Sequence, residues 1–422
     1  MSGAGGGVLG GPGGGGPNGL TKGNQRVMSS SATYMSIAAL GVQDLLLVAT
    51  SLEEAATTFW RQNTMKYTPF ALEMVEVQST GVAKFGASKV QYVLPRTGDG
   101  VWSLYAAITL PGIWSSSGSD GSTPQTGVNA ASWVNAVGQF VIKEAQLTLG
   151  GTKVDEFDNV YLFAWEELSG KPGKRLTEMV GRYDDPADRR IVSRRSQKLY
   201  VPLPFFHTYS TGSVLPLAAM SFHQAKVELT FEALNRSYQL GNASHYPWKR
   251  ADGLTDASIA ASATTYATAL QDTDLTCVLL AYYVFFDSPE RTRVAGGRYQ
   301  QIIHQVQTNS VHTVSDSSAY TVSATLEDTT TKSANVKVHF NNVVSELIFM
   351  VRRADIVADA ANREWFNFKG FTDPATDLNV DPITELELKF NNSERMTKQD
   401  GILFRTVMPH IHHTNIPSGF IY

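Results

Sequence analysis

Apolar and polar residues alternate with a period of two in several short stretches of this sequence. Val90, Tyr92 and Leu94 alternate with Lys89 and Gln91, and Ala145, Leu147 and Leu149 alternate with Gln146 and Thr148. Val227, Leu229 and Phe231 sit between Lys226, Glu228, Thr230 and Glu232, and the rhythm returns at Val336, Val338 and Phe340 and at Leu386, Leu388 and Phe390. Successive strand side chains point to opposite faces, so each stretch predicts a strand with one face buried. The runs 277–286 and 347–351 are apolar without alternation, which predicts strands buried on both faces, deep in a sandwich. Helical spacing is confined to 52–60, 160–168 and a short stretch at 214–220, so helices are expected only as connectors.

Two long segments, 111–132 and 233–274, carry little core in this reading. Segments of that length inside a domain are usually functional or disordered. The second one sets Tyr238, Tyr246 and Trp248 in an otherwise polar excursion, and large aromatic groups so placed favour an interface. Residues 1–32 are rich in glycine and serine and too poor in apolar side chains to offset the entropy of ordering them, which predicts a flexible arm.

Composition narrows the class. A chain of 422 residues with 42% apolar content can fill two cores, and 18% charged residues with many Gly, Ser, Thr and Asn suit short strands joined by loops. A net charge of −4 and a pI near 6.2 supply no general attraction to phosphate, so direct nucleic-acid binding is not expected. Cys277 is the only cysteine, which excludes an intrachain disulfide and zinc sites built on several thiolates. The longest apolar run, within 278–286, is about half of the roughly 20 residues that a membrane-spanning helix needs. The N-terminus lacks the basic-then-apolar layout of a signal peptide.

A series of blocks carries a resemblance. Gly41-Val42-Gln43-Asp44 is followed by Thr58-Phe59-Trp60-Arg61 and Tyr67-Thr68-Pro69-Phe70, then by Pro95-Arg96-Thr97-Gly98-Asp99 and Trp165-Glu166-Glu167-Leu168. The most specific block is Leu199-Tyr200-Val201-Pro202-Leu203-Pro204-Phe205-Phe206, with Asp287-Ser288-Pro289-Glu290-Arg291 and Asn415-Ile416-Pro417-Ser418-Gly419 behind it. The order and content of these blocks resemble the major capsid proteins of nucleocytoplasmic large DNA viruses. The resemblance implies an all-β chain of two tandem antiparallel eight-stranded jelly rolls, at 33–293 and 294–422 after the arm at 1–32. It also implies a homotrimeric capsomer of pseudo-hexagonal outline that tiles an icosahedral shell, without catalysis and without a cofactor. Its partners would be neighbouring capsomers, minor capsid and penton proteins, and an inner membrane layer reached through minor proteins. Its place would be the virion capsid, assembled in the host cytoplasm. Family members continue past the Asn-x-Pro-Ser-Gly element into closing strands, so the second jelly roll is expected to be incomplete within these 422 residues, by truncation.

The bland reading is preferred for each chemical candidate. His410, His412 and His413 could ligate a metal, but Pro409 and Pro417 bracket them and no cupin-like glutamate accompanies them. His207 and His223 are expected as satisfied structural histidines, and the pairs Glu53-Glu54, Glu166-Glu167 and Asp184-Asp185 as solvated charge rather than glycosidase carboxylates. The cluster Arg189, Arg190, Arg194, Arg195 and Lys198 lies beside Asp184, Asp185 and Asp188, which favours a salt-bridge network over phosphate binding. Asn235, Asn242 and Asn391 begin N-glycosylation sequons that are expected to be incidental. The alternatives carried forward are a minor or paralogous capsid protein of the same fold and a carbohydrate-active or cupin-like β-sandwich enzyme.

Overall fold

The structure is a computed structural model that describes residues 69–87, 89–115, 131–171, 173–220, 222–240, 247–250, 267–297, 301, 303–309, 311–313, 334–354, 363–369, 381–391 and 393–422. The expected arm at 1–32, the helix at 52–60, Glu53-Glu54 and the first resemblance block lie outside those residues.

Eight strands build a sandwich: β1 (Phe70–Val77), β2 (Val90–Val93), β3 (Gly100–Leu110), β4 (Ile142–Leu149), β5 (Thr152–Asp158), β6 (Gln197–Pro202), β7 (Ala225–Phe231) and β8 (Thr276–Phe286). One sheet has the order β1-β8-β3-β6 and the other β2-β7-β4-β5, with every neighbour antiparallel. The last strand thus lies between the first and the third, and the seventh between the second and the fourth, which is jelly-roll topology. Alternation places the core correctly. Ala225, Val227, Leu229 and Phe231 are buried between half-exposed Lys226, Glu228 and Thr230, and they pack with Tyr92, Leu147, Leu104 and Ile108. The buried Tyr92 hydroxyl donates to the Cys277 carbonyl at 3.1 Å, which removes the cost of an unpaired polar group in the core.

β8 corrects one expectation. Cys277, Leu279, Ala281 and Tyr283 are buried, whereas Val278, Leu280 and Tyr282 on the other face are only half-buried. A central strand has two neighbours for its backbone, but its outer face is covered only if another layer packs there. The register slips at Trp102, with Tyr282 opposite Ser103 and Tyr283 opposite Val101, so that the extra residue sets Trp102 edge-on to Tyr282 at 6.3 Å.

The long segments hold more structure than their composition suggested. Ile113–Ser115 pairs with Pro247–Arg250, which also pairs with Ala267–Ala269, and Ala131–Trp133 pairs with Tyr238–Leu240. The excursions 111–132 and 233–274 therefore meet each other in small sheets.

After β8, residues Ser288–Gly296 form a helix whose Asp287 cap accepts from the Ser288 N–H. Arg291 fastens this helix to the first sandwich, because its Nε and Nη2 donate to the two Asp99 oxygens at 2.7 and 3.0 Å. Farther on, β9 (Glu385–Phe390) and β10 (Ser393–Asp400) form a hairpin, as the alternation at Leu386 and Leu388 predicted, although Phe390 is exposed. The expected strand at Val336, Val338 and Phe340 is not a strand among the described residues. The segment 347–351 is half-buried to exposed and makes one isolated bridge, Met350 to Ile421, rather than a deep strand. Alternation shows which face could be buried, and a ladder also needs a partner strand in register. Among the described residues no helix is long and apolar enough to cross a membrane.

Candidate functional site at the junction of the two halves

Asp158 at the end of β5 accepts the Tyr161 N–H at 2.8 Å and so caps helix α1 (Asn159–Ser169), which ends where the Gly170 N–H bonds Glu166 O. One side of α1 presents Phe163, Ala164 and Leu168 to Phe368, Phe420, Ile421 and Tyr422 in a second apolar cluster. Trp365 stacks on Phe140 at 4.9 Å and Phe366 on Phe163 at 4.7 Å, while the Arg236 guanidinium lies 4.2 Å from the centre of the Trp365 ring. Residues 363–369 thus wedge three aromatic rings against the first sandwich.

The polar core of the junction is Glu167, which is buried. Its carboxylate accepts from Arg182 Nη1 at 2.5 Å, from the Ser418 N–H and hydroxyl at 2.6 and 2.9 Å, and from the Gly419 N–H at 3.3 Å. Asn415 completes the hold by donating its Nδ2 to Glu167 O at 3.0 Å and its N–H to Leu168 O at 3.1 Å. Arg182 reaches Glu167 because Gly181 turns the chain at φ 70°, where a Cβ would also meet Val137 Cγ1 at 2.9 Å. Burial alone would raise the Glu167 pKa, but Arg182 and the Ser418 donors outweigh it and hold the carboxyl below its ordinary value. Glu166 next to it, bonded by Gln139 Nε2 at 2.7 Å and the Leu176 N–H at 3.2 Å, is raised by burial. The pair expected as solvated charge is therefore interior, and the interior position is tolerated because every carboxylate oxygen faces donors.

Two further sets of contacts close the junction. The Phe349 and Tyr422 backbones exchange hydrogen bonds at 2.7 and 3.0 Å, and the Tyr422 hydroxyl donates to Asp381, which pairs with Arg405 at 3.1 Å. On the edge of β5, Gln305 Nε2 donates to Val154 O at 2.5 Å, and buried Asp155 accepts the N–H groups of Phe206 and Val306. Asn415→Ala removes one of these bonds while leaving the backbone bond to Leu168. It should cost about 1 kcal/mol. Denaturant unfolding measures the loss, and limited proteolysis should find residues 412–422 cut sooner.

The remaining sequence candidates scatter. Arg189 is buried and pairs with Glu364 at 3.6 Å, so one member of the basic cluster joins an intrachain network. Arg190, Arg194, Arg195 and Lys198 stay exposed. Asp184 and Asp185 are exposed as expected, and Asp185 caps the helix Pro186–Ser193. His413 bonds Glu346 at 2.5 Å while His410 and His412 are exposed, and no group of metal-holding residues occurs among the described residues. His223 is exposed. His207 corrects the expectation of a satisfied histidine: it is fully buried, and neither ring nitrogen has a partner among the described residues. Tyr238 is half-buried against the core opposite Trp133, Trp248 lies on the paired strand Pro247–Arg250, and Tyr246 and Asn242 fall outside the described residues. Asn235 is exposed while Ser237 of its sequon is buried, and Asn391 is exposed at the hairpin turn with φ 49°.

Comparison with known proteins places this geometry. Residues 58–287 match the family described as major capsid protein N-terminus, and residues 290–422 match the family described as large eukaryotic DNA virus major capsid protein. The chain is 26% identical over 360 residues to the major capsid protein of Chrysochromulina ericina virus, covering 75% of this chain and 57% of that protein. It is 25% identical over 342 residues to the major capsid protein of Phaeocystis pouchetii virus, covering 75% of this chain and 58% of that protein. The chain thus spans little more than half the length of these relatives. Among solved structures, the PBCV-1 virus capsid chain superposes with a TM-score of 0.60 at 17% identity, covering 86% of this chain and 79% of that one. That likeness fixes the fold as the double jelly roll.

Proposed function

This chain belongs to the family of large eukaryotic DNA virus major capsid proteins, and on that premise we propose that three copies associate into a pseudo-hexagonal capsomer that tiles an icosahedral shell. The family is one of structural proteins of the virion capsid. The observation that carries the reading is the junction. An eight-stranded sandwich is held to the later residues of its own chain by the Glu167 hydrogen bonds and by three inserted rings, so each chain offers a fixed pair of building blocks. Three such pairs give six similar blocks around a threefold axis, a shape that packs on a flat hexagonal lattice. In this reading 33–293 and 294–422 are the two jelly rolls, and the arm at 1–32 orders only on contact with neighbouring capsomers or inner layers. Work is done by burying surface between copies, without catalysis or a cofactor, alongside minor capsid and penton proteins in the host cytoplasm. Light scattering on the eluting protein tests the first step: a particle of three 46.0 kDa chains supports it, and a monomer at micromolar concentration rejects it.

A further inference from the structure

The first sandwich has two long sides. Asp155 on β5 bonds the Phe206 N–H just beyond β6 at 3.1 Å, so β5 and β6 border one side, and the sheet orders leave β1 and β2 at the other. The chain's own later residues occupy the β5 border through Gln305 and Val306. The β1 border carries the opposite character. Among the described residues β1 is an eight-residue edge strand paired only with β8, and its sequence, FALEMVEV, contains no proline, lysine or arginine. Glutamates are its only charges, and a long edge without proline or lysine remains a template for association unless something covers it. Leu72 and Met74 point to the outer face of the sheet with 43% and 52% of their surface exposed. Met74 lies opposite Tyr282, and Glu76 opposite Leu280, on the same half-buried face of β8 that was expected to be fully covered. Glu76, on that face, is exposed and has no ion pair among the described residues, whereas Glu73 lies on the core-facing side opposite Tyr283.

We infer that β1 and the sheet face beside it are the contact surface for the second half of a neighbouring copy. The inference rests on the trimer reading and says which surface makes the trimer. A ring of two-block chains flanks every first block twice, once by its own second block and once by the next copy's. The side used within the chain cannot serve again, so a heterologous contact must use the other. The chemistry agrees. The occupant must cover Leu72 and Met74 and meet the Glu76 carboxylate on the same face, and among the described residues of 301–422 Lys337, Lys369 and Arg395 are exposed without an acidic partner.

The test uses the full chain. In Leu72→Lys/Met74→Lys both side chains start half-exposed, so the subunit should keep its unfolding midpoint while the association constant falls at least 100-fold and light scattering reports monomer. A second variant does not depend on breaking the assembly. Met74→Cys should react with a maleimide at least tenfold faster after dilution to monomer than in the trimer, and the buried Cys277, whose thiol burial pushes up to about 12, stays silent. A wild-type monomer defeats the trimer reading itself. A wild-type trimer defeats only this assignment of the face if it survives Leu72→Lys/Met74→Lys, or if the thiol introduced by Met74→Cys labels equally in both states. A large loss of subunit stability in the double variant also defeats it, because Leu72 and Met74 would then belong to the packing of the subunit itself.

Discussion

Glu167→Ala is expected to lower the unfolding free energy by roughly 3–5 kcal/mol and to free the last residues of the chain. The magnitude follows from what is left behind. Arg182 retains only 9% of its side-chain surface and Glu167 5%, so removing the carboxylate strands a buried guanidinium whose other acidic neighbour, Asp184, is exposed at 3.8 Å. The Ser418 and Gly419 N–H groups lose their acceptor in the same step. Glu167→Gln keeps the shape and one acceptor oxygen but not the charge, so an intermediate loss separates the charge from the hydrogen bonds. The folded-state pKa of Glu167 lies below its unfolded value. Its stabilisation is therefore complete above the unfolded pKa near 4.5 and is lost as the pH falls through the folded value. The advantage of wild type over Glu167→Ala should shrink in acid. Denaturant unfolding at neutral and acidic pH measures both effects. A loss below about 1 kcal/mol at neutral pH would show that the junction does not depend on this carboxylate.

The first sandwich was readable because its strands obey a local rule. Alternation at 90–94, 145–149 and 227–231 reports a face toward the core, and those residues are buried except Leu149, which is half-buried beside a buried Thr148 where the register shifts. The junction was not readable in this way. Glu167 meets Ser418 across 251 residues, and nothing near a Glu-Glu pair in sequence distinguishes an interior carboxylate from a solvated one. The expectation of solvated charge failed there because Arg182 and two backbone amides arrive from distant segments. The ring wedge had a signal that passed unused: Trp365, Phe366 and Phe368 put three aromatic rings within four residues. β8 misled for a related reason, since an unbroken apolar run reads as buried on both faces whether its second face is covered by the same chain or awaits another.

His207 sets the other large effect. Its ring is fully buried, lies parallel to Phe205 at 6.1 Å and meets Phe206 edge-on at 5.5 Å, with no partner for either nitrogen among the described residues. Burial depresses its pKa from 6.5 to about 3. The folded state therefore binds fewer protons than the unfolded chain between those values, and stability falls as the pH drops from 6.5 toward 3. A shift of that size corresponds to roughly 5 kcal/mol in full. Asp155 acts in the opposite direction. Burial raises it from 3.8 to about 6, so its contribution is present in acid and disappears as the pH rises through 6, worth roughly 3 kcal/mol. The histidine wins because its shift is larger and extends below 3.8, where Asp155 no longer changes. His207→Phe places a third apolar ring beside Phe205 and Phe206 and removes two unpaired nitrogens. At pH 7.5 it should gain about 1–2 kcal/mol from the lost desolvation penalty. At pH 4 the advantage over wild type should be about 3 kcal/mol larger, because the variant no longer has a buried base that the unfolded chain can protonate. Unfolding curves at pH 7.5, 6, 5 and 4 decide it. An advantage that stays constant across that range would mean that the His207 ring is not kept neutral by the fold, and that the acid sensitivity of this sandwich resides in its carboxylates alone.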